Sequence, residues 1–194
     1  MFPISHFNIT RTPFYYYDKT LLSNTLAKLI RLAGERNYHV HYAVKANANP
    51  EILKLIAASG IGADCVSGGE IKAALEAGFP AKKIVFAGVG KADWEIEYAL
   101  EKKIFCFNVE SAEELSVIEE LAKKKENIAS IALRINPNID AHTHEYITTG
   151  LSENKFGIPI EMLDSIFSQI QRSPHVQLVG FHFHIGSQIC LLYT

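Results

Sequence analysis

Cysteine is scarce in this chain of 194 residues: Cys65, Cys106 and Cys190 are odd in number and widely spaced. They exclude a disulfide framework and read as reduced thiols of a cytoplasmic protein. Charge of one sign is also missing, since 19 Lys and Arg stand against 21 Asp and Glu for a net charge of −2. That balance offers no electrostatic ground for nucleic acid or an anionic membrane as partner. No uncharged apolar run approaches the roughly 18 residues that span a bilayer. The opening MFPISHFNITRTP has no basic stretch followed by an apolar one, so it does not read as a secretory leader. What remains is an ordinary globular composition, 48% hydrophobic and 21% charged, which excludes disorder and collagen-like sequence. At this length about 70% of the unfolded surface can be buried in one domain without a disulfide or structural metal.

Short apolar runs alternate with amphipathic helical patterns. Strands are expected near His39, Gly62, Ile84, Ile104, Ser130 and Gln177, each rich in β-branched or aromatic residues and bounded by Gly, Pro or Asn. Ser67 with Glu70, and Ser111 with Glu114, have the spacing of capping boxes. Pro50 and Pro159 suit first helical positions, while Gly60 and Gly78 suit helix ends. From Asp18 to Arg36, Leu22, Leu26, Leu29, Ile30 and Ala33 fall on one helical face. Strand starts at 62, 84, 104 and 130 recur every 20 to 26 residues, the period of right-handed βαβ units in a parallel sheet. Between 130 and 177 the period is broken by a long loop, roughly Asn136 to Gly157, and such loops are more often functional than not. The sheet is either doubly wound or part of a (β/α)8 barrel. A dinucleotide-binding sheet should show G-x-G-x-x-G after its first strand, where this chain has KANANP. The barrel is therefore the expected fold.

Alternation along four strands places polar groups on one parity: His41 and Lys45, Cys106, Asn108 and Glu110, Arg134 and Asn136, His182 and His184. The opposite parity is Val40, Tyr42 and Val44, then Phe105, Phe107 and Val109, Ile131, Leu133 and Ile135, and Phe181, Phe183 and Ile185. The polar groups gather towards strand C-termini, where barrel enzymes build their sites. Lys45 is expected on the inner face of a buried strand, where desolvation favours the free amine that condensation with a carbonyl compound requires. The plain alternative is a lysine that snorkels to water. His182 and His184 form an H-x-H pair with three readings. One is a metal site completed by Asp64 or Glu110, as in a barrel hydrolase, another is an imidazole lying on an aromatic cofactor, and the third is a pair of hydrogen-bonded core histidines. Gly186 and Ser187 at the last strand end suit a phosphate, and Ser67-Gly68-Gly69 offers a second such place, although helix capping already accounts for Ser67. His142, His144, Glu145 and Lys155 lie in the long loop and suit a cover over substrate. Lys123 to Lys125 read as a solvated helix end, and Trp94 as core.

Six segments occur in order: YAVKAN, GADCVSGGEI, FNVESAEEL, LRINPNI, the loop from His144 to NKFGI, and GFHFHIGSQ. Together they resemble the barrel domain of the diaminopimelate decarboxylases, pyridoxal-phosphate enzymes of the alanine-racemase-like fold, over about residues 15–188. The resemblance implies an α/β chain that is one partial (β/α)8 barrel over 1–194, with about six of eight strands and no C-terminal β-domain. It implies that Lys45 joins pyridoxal 5'-phosphate, that His184 stacks on its ring, and that Ser187 bonds its phosphate. Asp64 and Arg134 match positions lining that pocket. The implied reaction is decarboxylation of meso-2,6-diaminopimelate to L-lysine and CO2, the last step of lysine biosynthesis. The full-length protein is expected to be a cytoplasmic homodimer taking a small amino-acid substrate. Ornithine- or arginine-type decarboxylases of the same fold are the alternative. After HIGSQ the family continues with further strands, so the chain is expected to be an N-terminal fragment that folds poorly and decarboxylates little by itself. FYYYD near the start is expected to lie against the missing β-domain.

Overall fold

The computed structural model describes residues 3–137 and 156–184. The chain forms two compact units, Met1–Tyr38 and His39–Thr194. In the first, helix α1 (Ile4–Phe7) brings Phe7 against Phe14 and Tyr16, with ring centroids 5.4 and 5.1 Å away. Helix α2 (Lys19–Gly34) starts where the Asp18 carboxylate accepts the Leu21 N–H at 2.9 Å, and it buries Leu26 and Ala33. Leu29, expected on the same apolar face, is exposed.

The second unit is a parallel sheet with helices following its strands. Its strands are β1 (His41–Ala43), β2 (Gly62–Cys65), β3 (Ile84–Phe86), β4 (Cys106–Val109), β5 (Ala129–Asn136), β6 (Ile158–Pro159) and β7 (Val176–Phe183). Its helices are α3 (Pro50–Ala58), α4 (Gly68–Glu76), α5 (Asp93–Lys102), α6 (Ala112–Lys124) and α7 (Leu163–Gln171). Strands β1 to β5 lie side by side in chain order, and β7 adds to β5. A doubly wound sheet reverses direction at a switch point. This one never does, which is the winding of a barrel, here partial. The two residues of β6 pair with Ile135 and Asn136 at the end of β5, a strand that no alternation announces.

Local chemistry explains most boundaries. Asn49 accepts the N–H groups of Glu51 and Ile52, and Pro50 opens α3 where a missing N–H costs nothing. Ser67 Oγ accepts the Glu70 N–H, and Ser111 Oγ the Glu114 N–H. The return contacts of both boxes reach one residue further back than the pattern states: Glu70 Oε2 accepts from Val66 N–H and Glu114 Oε2 from Glu110 N–H, at 2.8 and 2.9 Å. Gly60 and Gly78 stop α3 and α4 at φ +85° and +98°, a region glycine enters without strain. Pro159 departs from expectation. It ends β6 and precedes a 3-10 turn over Ile160–Met162, so it opens no α-helix.

The core is the sheet's contact with α3 to α6. Phe86, Phe107, Ile131 and Leu133 lie fully buried, as do Ile71, Ile96, Leu115 and Ile118. Burying side chains of this kind contributes about 1.5–3 kcal/mol each. Trp94, expected in the core, is 62% exposed and lies across Gly68, where a Cβ would stand 2.9 Å from its ring. On β7 the expected apolar face is open among the described residues: Phe181 and Phe183 are exposed, and only Phe181 meets a ring, that of Phe167 at 6.2 Å.

Candidate active site

The sheet's C-terminal edge gathers the site. Lys45 is not on β1 itself. The chain leaves the strand at Ala43 and turns through a 3-10 turn, Val44–Ala46, that buries Val44 and leaves Lys45 exposed. The alternation that put Lys45 on a buried strand face therefore stops one residue too early, and the desolvated-lysine expectation is corrected: this amine is at the rim. Its charge still acts on Asp64 and on His184, so three of the expected residues converge.

Asp64 stands in β2 opposite Ala43 and Val85. Its Oδ1 is buried without a hydrogen-bond partner among the described residues. Burial raises the carboxyl above its ordinary range, and the Lys45 and His41 charges pull it partly back. His41 lies over Gly62, where any Cβ would collide with the imidazole and with the Lys83 carbonyl.

Arg134 is the next member. Its Nη1 donates to both Glu110 oxygens at 2.8 Å, in a pair whose side chains are 12% and 4% exposed. The Phe156 ring lies 5.5 Å from its guanidinium carbon. Arg134 faces His182 in register across β5 and β7. Both imidazoles are held neutral: burial, then the Arg134 charge, pushes His182 down to about 4 and His184 below its ordinary value. His182 Nδ1 is the second buried polar atom with no partner. Among the described residues no set of three His, Cys, Asp or Glu side chains is disposed around a metal.

Two expectations fall elsewhere. Ser187, with the loop residues His142, His144, Glu145 and Lys155, lies outside the described residues. The phosphate place at Ser67-Gly68-Gly69 is already filled by the protein: Glu95 Oε1 accepts the Gly68 N–H at 2.6 Å and its Oε2 the Ala92 N–H at 3.0 Å, while Ser67 Oγ is spent on Glu70. A carboxylate on that helix end leaves no room for another anion.

One group that sequence reasoning passed over is Lys91. Its amine is 1% exposed and donates to Gly88 O, Asn108 O and Glu114 Oε1 at 2.7, 2.9 and 2.6 Å, above the Phe86 ring. The signal available was weak. Lys91 follows a glycine-rich turn, and its carboxylate partner lies 23 residues away.

Pyridoxal phosphate fits these residues. An accessible amine would meet its aldehyde, neutral imidazoles would suit a flat ring, and the buried Asp64 and His182 atoms have no hydrogen-bond partner among the described residues. The comparisons agree. Residues 23–192 match the model of the pyridoxal-dependent decarboxylase, pyridoxal binding domain. Diaminopimelate decarboxylase of Bacteroides thetaiotaomicron is 59% identical over 190 residues, 97% of this chain and 49% of that protein. Crystal structures of diaminopimelate decarboxylase complexed with L-lysine align from Helicobacter pylori, with 45% identity, TM-score 0.86 and coverage of 96% and 47%, and from M. jannaschii, with 39% identity, TM-score 0.86 and coverage of 95% and 44%. The chain thus spans about half the length of the relatives it matches. On fold, motif order and site together, it belongs to the pyridoxal-dependent decarboxylases and carries their pyridoxal-binding domain.

Proposed function

We propose that this chain is the pyridoxal-binding part of a carboxy-lyase that takes meso-2,6-diaminopimelate to L-lysine and CO2. The full-length protein works in the cytoplasm as a homodimer, and residues 1–194 form its partial barrel. The observation that carries the reading is the convergence of the Lys45 amine on Asp64 and His184 at the rim of a singly wound parallel sheet. Identity of 59% to a diaminopimelate decarboxylase supports the substrate, as do the L-lysine complexes of two relatives, lysine being the product of that reaction. No helix of the described residues is long and apolar enough to cross a membrane, in keeping with a small water-soluble substrate.

When bound, the pyridine ring supplies the electron sink that decarboxylation needs. The chain's own residues do the rest. Lys45, exposed and on a turn, would hold the cofactor through its aldehyde. Asp64 holds a proton more readily than an ordinary aspartate, within electrostatic reach of Lys45, so it would hold or release a proton beside Nζ. His184, held below its ordinary value, would face the ring without adding charge to it, and Ser187 would hold the phosphate. Arg134, fixed by Glu110, keeps a cation beside the imidazoles.

Titration with pyridoxal phosphate, borohydride reduction and peptide mapping tests the cofactor half, with adduct expected at Lys45 and none in Lys45→Ala. Adduct at another lysine overturns it. Adding meso-diaminopimelate, L-ornithine or L-arginine to the loaded chain tests the substrate half. The absorbance responds to diaminopimelate first; a response to ornithine or arginine alone moves the protein to the alternative decarboxylases.

A further inference from the structure

Behind Arg134 stands a second buried ion pair that the proposed chemistry does not use. Lys91, in the turn between β3 and α5, and Glu114, in the first turn of α6, pair at 2.6 Å with side chains 1% and 14% exposed. Glu114 divides its carboxylate: Oε1 takes Lys91 and Oε2 takes the backbone N–H of Glu110 at 2.9 Å. Glu110 then accepts Gly88 N–H at 3.1 Å and both contacts from Arg134 at 2.8 Å. Lys91 closes the circuit through Gly88 O and Asn108 O, the ends of the turn and of the strand that carry the other members. Two buried ion pairs in series are a poor way to gain stability, because apolar side chains of similar volume commonly do as well or better. They do fix geometry. Among the described residues Arg134 uses Nη1 alone for its carboxylate partner, so the position of Glu110, with the Phe156 ring beside it, sets which way the remainder of the guanidinium faces.

We infer that Lys91 and Glu114 are positioning residues: they lock Glu110, and through it they hold Arg134 against His182 and His184. Neither touches the site. Both act on Arg134 by one route, the backbone and carboxylate of Glu110, while the Lys91 charge also reaches His182, though not His184, directly. The effect on cofactor binding rests on the reading of the site given above; the effect on the imidazoles does not.

The test is Glu114→Gln in the cofactor-free chain, followed by pH titration of the His182 and His184 imidazole Cε1–H signals and by pyridoxal phosphate affinity. The amide keeps an oxygen for Lys91 but turns an NH2 towards the Glu110 N–H, so the lock opens while Lys91 stays paired. With Arg134 released, the titration midpoints of both imidazoles rise towards the ordinary histidine value, and affinity falls about tenfold, the loss usual when a partner behind a ligating side chain is removed. Lys91→Met/Glu114→Gln removes both charges at once and keeps the test alive if a single change disturbs folding: thermal stability recovers, and the raised His184 midpoint persists, His184 being the readout there because loss of the Lys91 charge raises His182 by itself. Unmoved midpoints in either variant overturn the inference, whatever the affinity does. Midpoints that move while affinity stays constant uphold the positioning role and sink instead the placement of the cofactor beside Arg134.

Discussion

Two lysines stand beyond the ends of β1 and β3 in one sheet, and their surroundings are opposite. Lys45 follows β1 on a 3-10 turn, exposed, with no hydrogen bond to its amine among the described residues. Lys91 follows β3, shut away at 1% exposure with three oxygens around it. The difference is one of duty. An amine that must condense with an aldehyde, leave it and return needs free rotamers and access, which a rim turn supplies. An amine whose place must not vary needs burial and a full set of acceptors, because each contact strengthens where water is excluded. The lysine expected to be desolvated is the exposed one, and the buried lysine lies two strands away.

The sharpest way to break that contrast is to remove each amine and read both binding and stability. Lys45→Ala abolishes the borohydride-trapped pyridoxal adduct yet changes urea unfolding by no more than about 0.5 kcal/mol, as for other exposed positions. Lys91→Met does the reverse. It strands the Glu114 carboxylate, already held above its ordinary range by burial, and costs about 3–5 kcal/mol. If the two variants unfold at the same urea concentration, the assignment of duties is wrong. Gly62→Ala comes next. The new methyl meets the His41 ring and the Lys83 carbonyl, one of them rigid backbone, so the strained core loses about 1–3 kcal/mol. The damage falls on β1 and β2, which lowers pyridoxal affinity through Lys45 and Asp64 while Lys91 keeps its partners; the fluorescence of bound cofactor and the urea midpoint read the two effects separately.

The frame of the molecule was legible because its signals are local. Caps at Asn49, Ser67 and Ser111 act within three or four residues, and the strand–helix period needs only the positions of Ile84, Phe107 and Leu133 against polar neighbours. Arg134 and His184 followed from strand parity and Asp64 from motif order, and the Lys45 and Arg134 charges act on both Asp64 and His184. What stayed hidden depends on partners far along the chain. Glu95 reaches back 27 residues to occupy the Gly68 N–H, which no local pattern distinguishes from a vacant phosphate loop. Lys91 finds Glu114 across a whole helix and strand, α5 and β4. Lys45 was misplaced for a different reason: alternation continues in a string of letters, but β1 ends at Ala43 and the backbone coils before the lysine is reached. Trp94 was assigned to the core by hydrophobicity alone, whereas its indole covers a glycine from outside.

The last comparison is the pH response of the face that Arg134 commands. His182 takes its proton near 6.5 when the chain is unfolded and near 4 when it is folded. Between those values the unfolded state binds more protons, so stability falls as pH drops from 6.5 and stops falling from this cause below about 4. Asp64 and Glu114 work against that slope, since both bind protons more readily in the folded chain than outside it. Comparison with His182→Gln isolates the imidazole, because the carboxyl contributions are common to both proteins. The urea midpoint of the parent should decline more steeply than that of the variant across this interval, and the two curves should run parallel above pH 7. Parallel curves throughout would mean that His182 titrates alike in the folded and unfolded chain, and then neither burial nor the Arg134 charge governs it.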